Sequence, residues 1–269
     1  MTMLRSHLIL FVVLSFPLRA QDDAHALKEH LLMGDPSQSR RHVDMPDDHR
    51  MVKKQYVLSY NRYLGIPNWV AWHTDSTWLG PLQRSNDFRA DSTLPESWYH
   101  VSEKSYRKSG YDRGHMCPSG DRTADADDNS ATFLMTNMVP QAGHNNQGPW
   151  AALEIYCRDL VKEGKELYIY CGGNGSRGFI DSGRVQVPNV TWKAVLVLDA
   201  GNDDLHRVTS SSRTIAVVMP NDNALIRKSD DWRMFAVSVD SVESLTGYDL
   251  FRDVPASIQS IIEKRVEPH

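Results

Sequence analysis

From Gln55 onward the apolar residues come in short runs, YVLSY, WVAWH, ELYIYC, WKAVLVLD, TIAVVM and RMFAVSV. Each is rich in β-branched and aromatic side chains and is bounded by Gly, Pro, Asn or Asp, the pattern of strands closed by turns. In several the apolar stretch is continuous, so these strands are expected in the middle of a sheet covered on both faces. Two segments change to helical spacing. Over residues 149–162 the apolar positions are Trp150, Leu153, Ile155, Tyr156, Cys157, Leu160 and Val161, with Gly164 as the stop. Over residues 255–264 Pro255 suits a first helical turn. Residues 21–54 are polar and charged, interrupted by HLLMGDPS, and read as an extended or wrapping N-terminal arm. With no repeat, low-complexity tract or Gly/Ser linker after residue 55, residues 55–269 are expected to form a single mixed α/β domain.

The first twenty residues stand apart. Arg5, the apolar run LILFVVLSF and Leu18-Arg19-Ala20 before Gln21 have the order of a secretory signal, and the run is too short to span a bilayer. Its removal takes Arg5 and Arg19 from the 30 basic residues and nothing from the 34 acidic ones, moving the net charge from −4 to about −6. The mature chain is therefore expected to be secreted or periplasmic, without a membrane anchor. A nucleic-acid binder of this charge needs a local basic face. Cys117, Cys157 and Cys171 lack zinc-ligand spacing, and an odd count permits at most one internal bridge. They read as structural, with one disulfide left open.

The chemistry concentrates around YDRGHMCPSGDRT. Neither a half-buried strand nor an amphipathic helix requires Asp112, Arg113, Gly114 and His115 in succession. The segment is either a solvated loop or a strand end aiming an Arg and a His at one small anion, with Gly114 giving the backbone room to turn. Downstream, Asn146 falls in a polar loop before the 149–162 helix, where alone it reads as a cap or turn residue. Glu154 and Arg158 follow one turn apart on a shared helix face. Together the groups suit phosphodiester hydrolysis, which needs a base for water, a hard cation for phosphoryl charge and Arg forks for the phosphate. His115 supplies a neutral imidazole, Asn146 a hard amide oxygen suited to magnesium, and Arg113 and Arg158 the forks.

These segments, with LQRSNDFRADSTLP, NSATFLMTNMVPQ, NNQGPW, ELYIYCGGNGS and VESLTGYDLF, resemble the DNA/RNA non-specific endonucleases of the ββα-metal superfamily over nearly the whole mature chain. The likeness is greatest to secreted cyanobacterial sugar-non-specific nucleases. It implies a ββα-metal (His-Me finger) nuclease fold, with a central, mainly antiparallel sheet flanked by helices. It also implies a sugar-non-specific endonuclease that cuts DNA and RNA to 5′-phosphorylated products, using one hydrated divalent ion, Mg²⁺ or a substitute such as Mn²⁺. On that resemblance His115 would be the general base and Asn146 the direct protein ligand of the ion. Glu154 would hold a water of the ion's hydration shell, and Arg84 would contact the scissile phosphate, with Arg89 competing for that role. Arg113 and Arg158 would bind phosphate, Asp112 would orient the site, and Asn137 would steady the His115 segment. A protein inhibitor is compatible with this reading. The rival readings are a toxin or effector nuclease held by an immunity protein, and an inactive nucleic-acid-binding relative. His144, the Trp69 and Trp72 pair and the DADD stretch at 125–128 read instead as packing, core and a solvated turn or helix start. NGS at 174 and NVT at 189 are glycosylation sequons only in a eukaryotic secretory pathway.

Overall fold

The computed structural model describes residues 18–40, 42 and 44–268. Most of the expected secretory signal therefore lies outside the described residues. In chain order the first elements are helix α1 (Leu18–His30) and strands β1 (His49–Val52), β2 (Val57–Asn61), β3 (Ile66–Thr74) and β4 (Asp112–His115). Helix α2 (Ala126–Ala131), strand β5 (Met138–Gln141) and helices α3 (Gly143–Asn146) and α4 (Pro149–Lys162) follow. The second half holds β6 (Lys165–Asn174), β7 (Phe179–Ile180), β8 (Val185–Gln186), β9 (Val190–Asp199), α5 (Asp204–Arg207) and β10 (Arg213–Pro220). It closes with β11 (Ala236–Val237), α6 (Val239–Thr246) and α7 (Ala256–Ile262).

Seven strands form one antiparallel sheet in the order β1-β2-β3-β6-β9-β10-β11. Its long central strands are buried on both faces, as their continuous apolar runs require. Val70 and Trp72 of β3 face one core with Trp150 and Leu153 of α4, while Trp69 and Ala71 face the other with Val239 and Val242 of α6. Trp69 and Trp72 are thus core residues. This is the mixed α/β architecture expected, with helices on both sides of an antiparallel sheet.

Two local expectations change, and two that were left open are resolved. The 21–54 segment is not simply extended. It contains most of α1 and the edge strand β1, and its Met33 is wholly buried in the second core. The run RMFAVSV forms a single-turn 3₁₀ helix, a two-residue strand and the start of α6, not one full strand. Here Asp231 and Ser238 cap successive helix starts with their side chains, so local capping outcompetes the β-branched composition. The 255–264 helix is shorter, with Pro255 at its N-cap. All three cysteines are free and buried.

Candidate active site

Strands β4 and β5 pair antiparallel outside the main sheet, with His115 opposite Met138 and Gly114 opposite Val139. Helices α3 and α4 come next in the chain, so a two-stranded ribbon leads directly into the helix that carries Glu154 and Arg158. DRGH is itself the strand. Gly114 is required for space, because an added Cβ would lie 2.2 Å from Gln141 Oε1 and 2.6 Å from Gln141 Cβ. No turn occurs there, which corrects the expected role of this glycine. Asn137 steadies the backbone just after β4. Its Oδ1 accepts from the Cys117 backbone N–H at 2.9 Å, and its Nδ2 donates to the Cys117 and Thr132 carbonyls at 2.8 Å each.

The His115 ring is wedged between Phe133, edge-on at 4.9 Å between centroids, and Phe88 at 5.5 Å. Arg84 lies over Phe133 at 4.7 Å and Arg113 over Phe88 at 3.9 Å, so each cation shares an aromatic neighbour with the histidine. Burial drives the His115 pKa well below that of a free imidazole, and the charges of Arg84 and Arg113 push the same way. The ring is held neutral. Its Nε2 is buried without a hydrogen-bond partner. Arg84 also donates to Asn86 and Ser119, whereas Arg89 is occupied with Asp87 and the Ser130 carbonyl. That geometry places Arg84, not Arg89, beside His115.

Asn146 ends α3 instead of lying in an open loop. Its Nδ2 donates to Asp112 Oδ2 at 2.9 Å, and Gln147 Nε2 donates to the same oxygen at 2.7 Å. Lys228 in turn donates to Gln147 at 2.6 Å. With the amide nitrogen engaged, the Asn146 oxygen is the end left to meet a cation. On α4, Arg158 donates to Asp121 Oδ1 at 3.0 Å, and Asp121 Oδ2 accepts from the Trp72 indole at 3.0 Å. Glu154 Oε1 is buried with no hydrogen bond, and Lys193 Nζ lies 3.8 Å from it. Burial raises the Glu154 pKa, while Lys193 and then Arg158 oppose that rise. Burial also works against the Arg158 charge, but Asp121 and Glu154 overcome it and the Arg158 pKa is raised.

One cleft of about 420 Å³ is lined by Arg84, Arg113, His115, Asn146, Glu154 and Arg158. A second, of about 510 Å³, shares Arg84, Arg113 and Asn146, adds Asp112 and continues over Phe88 and Tyr111. Every site residue expected from sequence, apart from the supporting Asn137, therefore lines one of two contiguous clefts. His144 is absent from both linings, its Nδ1 lying against the Asn223 and Ile226 carbonyls. The DADD stretch starts α2, with Asp125 as its cap. Sequence reasoning missed Phe88, Phe133, Gln141, Asp121 and Lys193. Only Lys193 left a clear signal, as the lone charge in the middle of the apolar run WKAVLVLD.

The ribbon, the helix and this clustering define a nuclease of the ββα-metal type. The family model for DNA/RNA non-specific endonucleases matches residues 39–257, and the chain belongs to that family. It is 51% identical to a nuclease of Nostoc sp. over 90% of this chain and 87% of that one. It is 29% identical to human mitochondrial nuclease EXOG over 73% of this chain but 55% of the relative. A chain in the crystal structure of the EndoG/EndoGI complex superposes with a TM-score of 0.72 at 26% identity, covering 86% of this chain and 93% of that one. The protein is a nuclease, a hydrolase acting on nucleic acids. Among the described residues no helix is long and apolar enough to cross a membrane.

Proposed function

We propose that the protein is a secreted, metal-dependent endonuclease that hydrolyses DNA and RNA without base recognition and leaves 5′-phosphates. The observation that carries this reading is a neutral imidazole, an outward amide oxygen and three guanidinium groups lining one cleft. Placed groups of this kind read phosphate, not base edges.

The residues suit a hydrated hard cation. Asn146 would hold it through its free amide oxygen, and the Glu154 carboxylate, ion-paired with Lys193 through Oε1, would accept from a water of its shell. When bound, such an ion offsets charge building on the phosphoryl oxygens. His115, kept unprotonated, takes the proton from the attacking water. Arg84 and Arg113, fixed by stacking on Phe133 and Phe88, orient the phosphate and offset transition-state charge. Arg158, anchored on Asp121, adds a third fork. Mg²⁺ is the expected ion, with Mn²⁺ able to substitute. A protein inhibitor would act by covering the clefts; the solved EndoG/EndoGI complex, in which EndoG is inhibited, motivates that extension.

The test is digestion of plasmid DNA and of structured RNA with magnesium or with EDTA, followed by end-group labelling of the products. Cleavage of both polymers, loss in EDTA and 5′-phosphate ends are expected. Restriction to one polymer, or 3′-phosphate ends, would overturn the reading.

A further inference from the structure

Two side-chain clusters bring acidic or histidine ligand atoms within 4.8 Å of one another, and neither includes a residue of the clefts. They differ in how their charge is balanced. In the first, Arg207 bonds both Glu166 and Asp204, and His73 lies 3.9 Å from Glu166 and 3.6 Å from Glu29. Against the effect of burial, those carboxylates push the His73 pKa up to about 9. This network carries its own cations.

The second cluster does not. Asp240 and Glu243 stand one turn apart on α6, and Glu263 comes directly after the end of α7. The Asp240 backbone N–H donates to the Glu263 carbonyl at 3.1 Å, which joins the two helix ends. Glu243 Oε1 accepts only from the Leu250 backbone N–H, at 2.7 Å. Glu263 is 5% exposed, and its Oε1 is buried with no hydrogen bond. It also sits at a helix C-terminus, where the last carbonyls disfavour an anion. No Lys, Arg or His among the described residues is ion-paired with any of the three. Three carboxylates this close need protons or a cation between them.

We propose that Asp240, Glu243 and Glu263 form a calcium-class cation site that clamps α6 to the end of α7. The donor set is carboxylate oxygen alone, without the nitrogen or sulfur that favours zinc. Three carboxylates can supply up to about six oxygens, which suits the large and adaptable shell of calcium better than the strict octahedron of magnesium. In the absence of an ion, burial and then neighbouring carboxylates push Glu243 up to about 7 and Glu263 up to about 8. Calcium would displace those protons.

Thermal unfolding tests this at a pH above both values, in EDTA and then with millimolar calcium or magnesium. Calcium should raise the Tm of the wild-type protein by about 5 °C, and magnesium by less. Glu263→Gln and Asp240→Asn should each abolish the calcium shift, whereas Asn146→Ala should retain it. In EDTA, Glu263→Gln should unfold at or above the wild-type temperature, because it removes a repulsive charge. A wild-type protein indifferent to calcium would overturn the site. So would a shift that survives both carboxamide variants or disappears in Asn146→Ala.

Discussion

Asp112 and Asn146, 34 positions apart in the chain, are joined side chain to side chain by a 2.9 Å hydrogen bond. The bond fixes which end of the amide faces outward. An Asp112→Ala variant frees the amide to rotate, and its nitrogen would then compete for the outward position. Loss of an orienting partner of this kind typically costs ~10–100-fold in metal affinity or activity. Magnesium titration of the cleavage rate should show a higher half-saturating concentration for Asp112→Ala. An unchanged curve would mean that Asp112 serves only the Gln147 contact.

The pH profile should depart from that of an ordinary histidine base. A free imidazole titrates near ~6.5, but burial and two arginines hold His115 well below that value. The unprotonated base should persist as pH falls through the usual imidazole range, so kcat/KM should stay level there and decline only at lower pH. Replacing Arg113 by Gln should move the acid limb upward. A wild-type midpoint near ~6.5 would show that neither burial nor the two charges governs the base.

Lys193 is 1% exposed and lies 4.2 Å from the Trp150 ring centroid, with its ammonium aimed toward Glu154. Removing this charge as Lys193→Met leaves burial to raise the Glu154 pKa further. Activity should then fall at the acidic end and recover in part at higher pH, with a weaker magnesium response throughout. A uniform loss at all pH values would indicate a packing role alone.

Gly114→Ala tests the ribbon. The new Cβ meets Gln141, which is itself fully buried, so a small retreat of one tip does not relieve the clash. Overpacking of this kind typically costs ~1–3 kcal/mol. A lower Tm together with reduced turnover is expected, because the same strand carries His115. A Tm equal to wild type would show that Gln141 can move away freely.

The long central strands and α4 were legible because burial on two faces, or on one helical stripe, leaves a direct mark in the order of apolar residues. Helix α4 spans the residues its apolar pattern indicated. RMFAVSV misled because its β-branched and aromatic composition carries no information about the caps that Asp231 and Ser238 provide. At the site, Asp112, Arg113 and His115 could be singled out because burial does not require them in succession, whereas Arg84 came only from the family resemblance and Asp121 and Gln141 were missed. Phe88 and Phe133 could not be singled out, since an aromatic that grips a histidine looks the same in sequence as one that fills a core. Lys193 was readable in principle as a charge inside an apolar strand. Its pairing with Glu154 on α4 was not, because strand and helix meet only through tertiary packing.

The division of labour between His115 and Asn146 is the central claim, and magnesium titration of plasmid cleavage by wild type, His115→Ala and Asn146→Ala tests it most directly. His115→Ala should lose ~10²–10⁴-fold in turnover while keeping the wild-type half-saturating magnesium concentration. Asn146→Ala should raise that concentration and lower the rate at every subsaturating level. If His115→Ala cuts at the wild-type rate, or if Asn146→Ala retains both rate and magnesium dependence, base and ligand have been assigned to the wrong side chains.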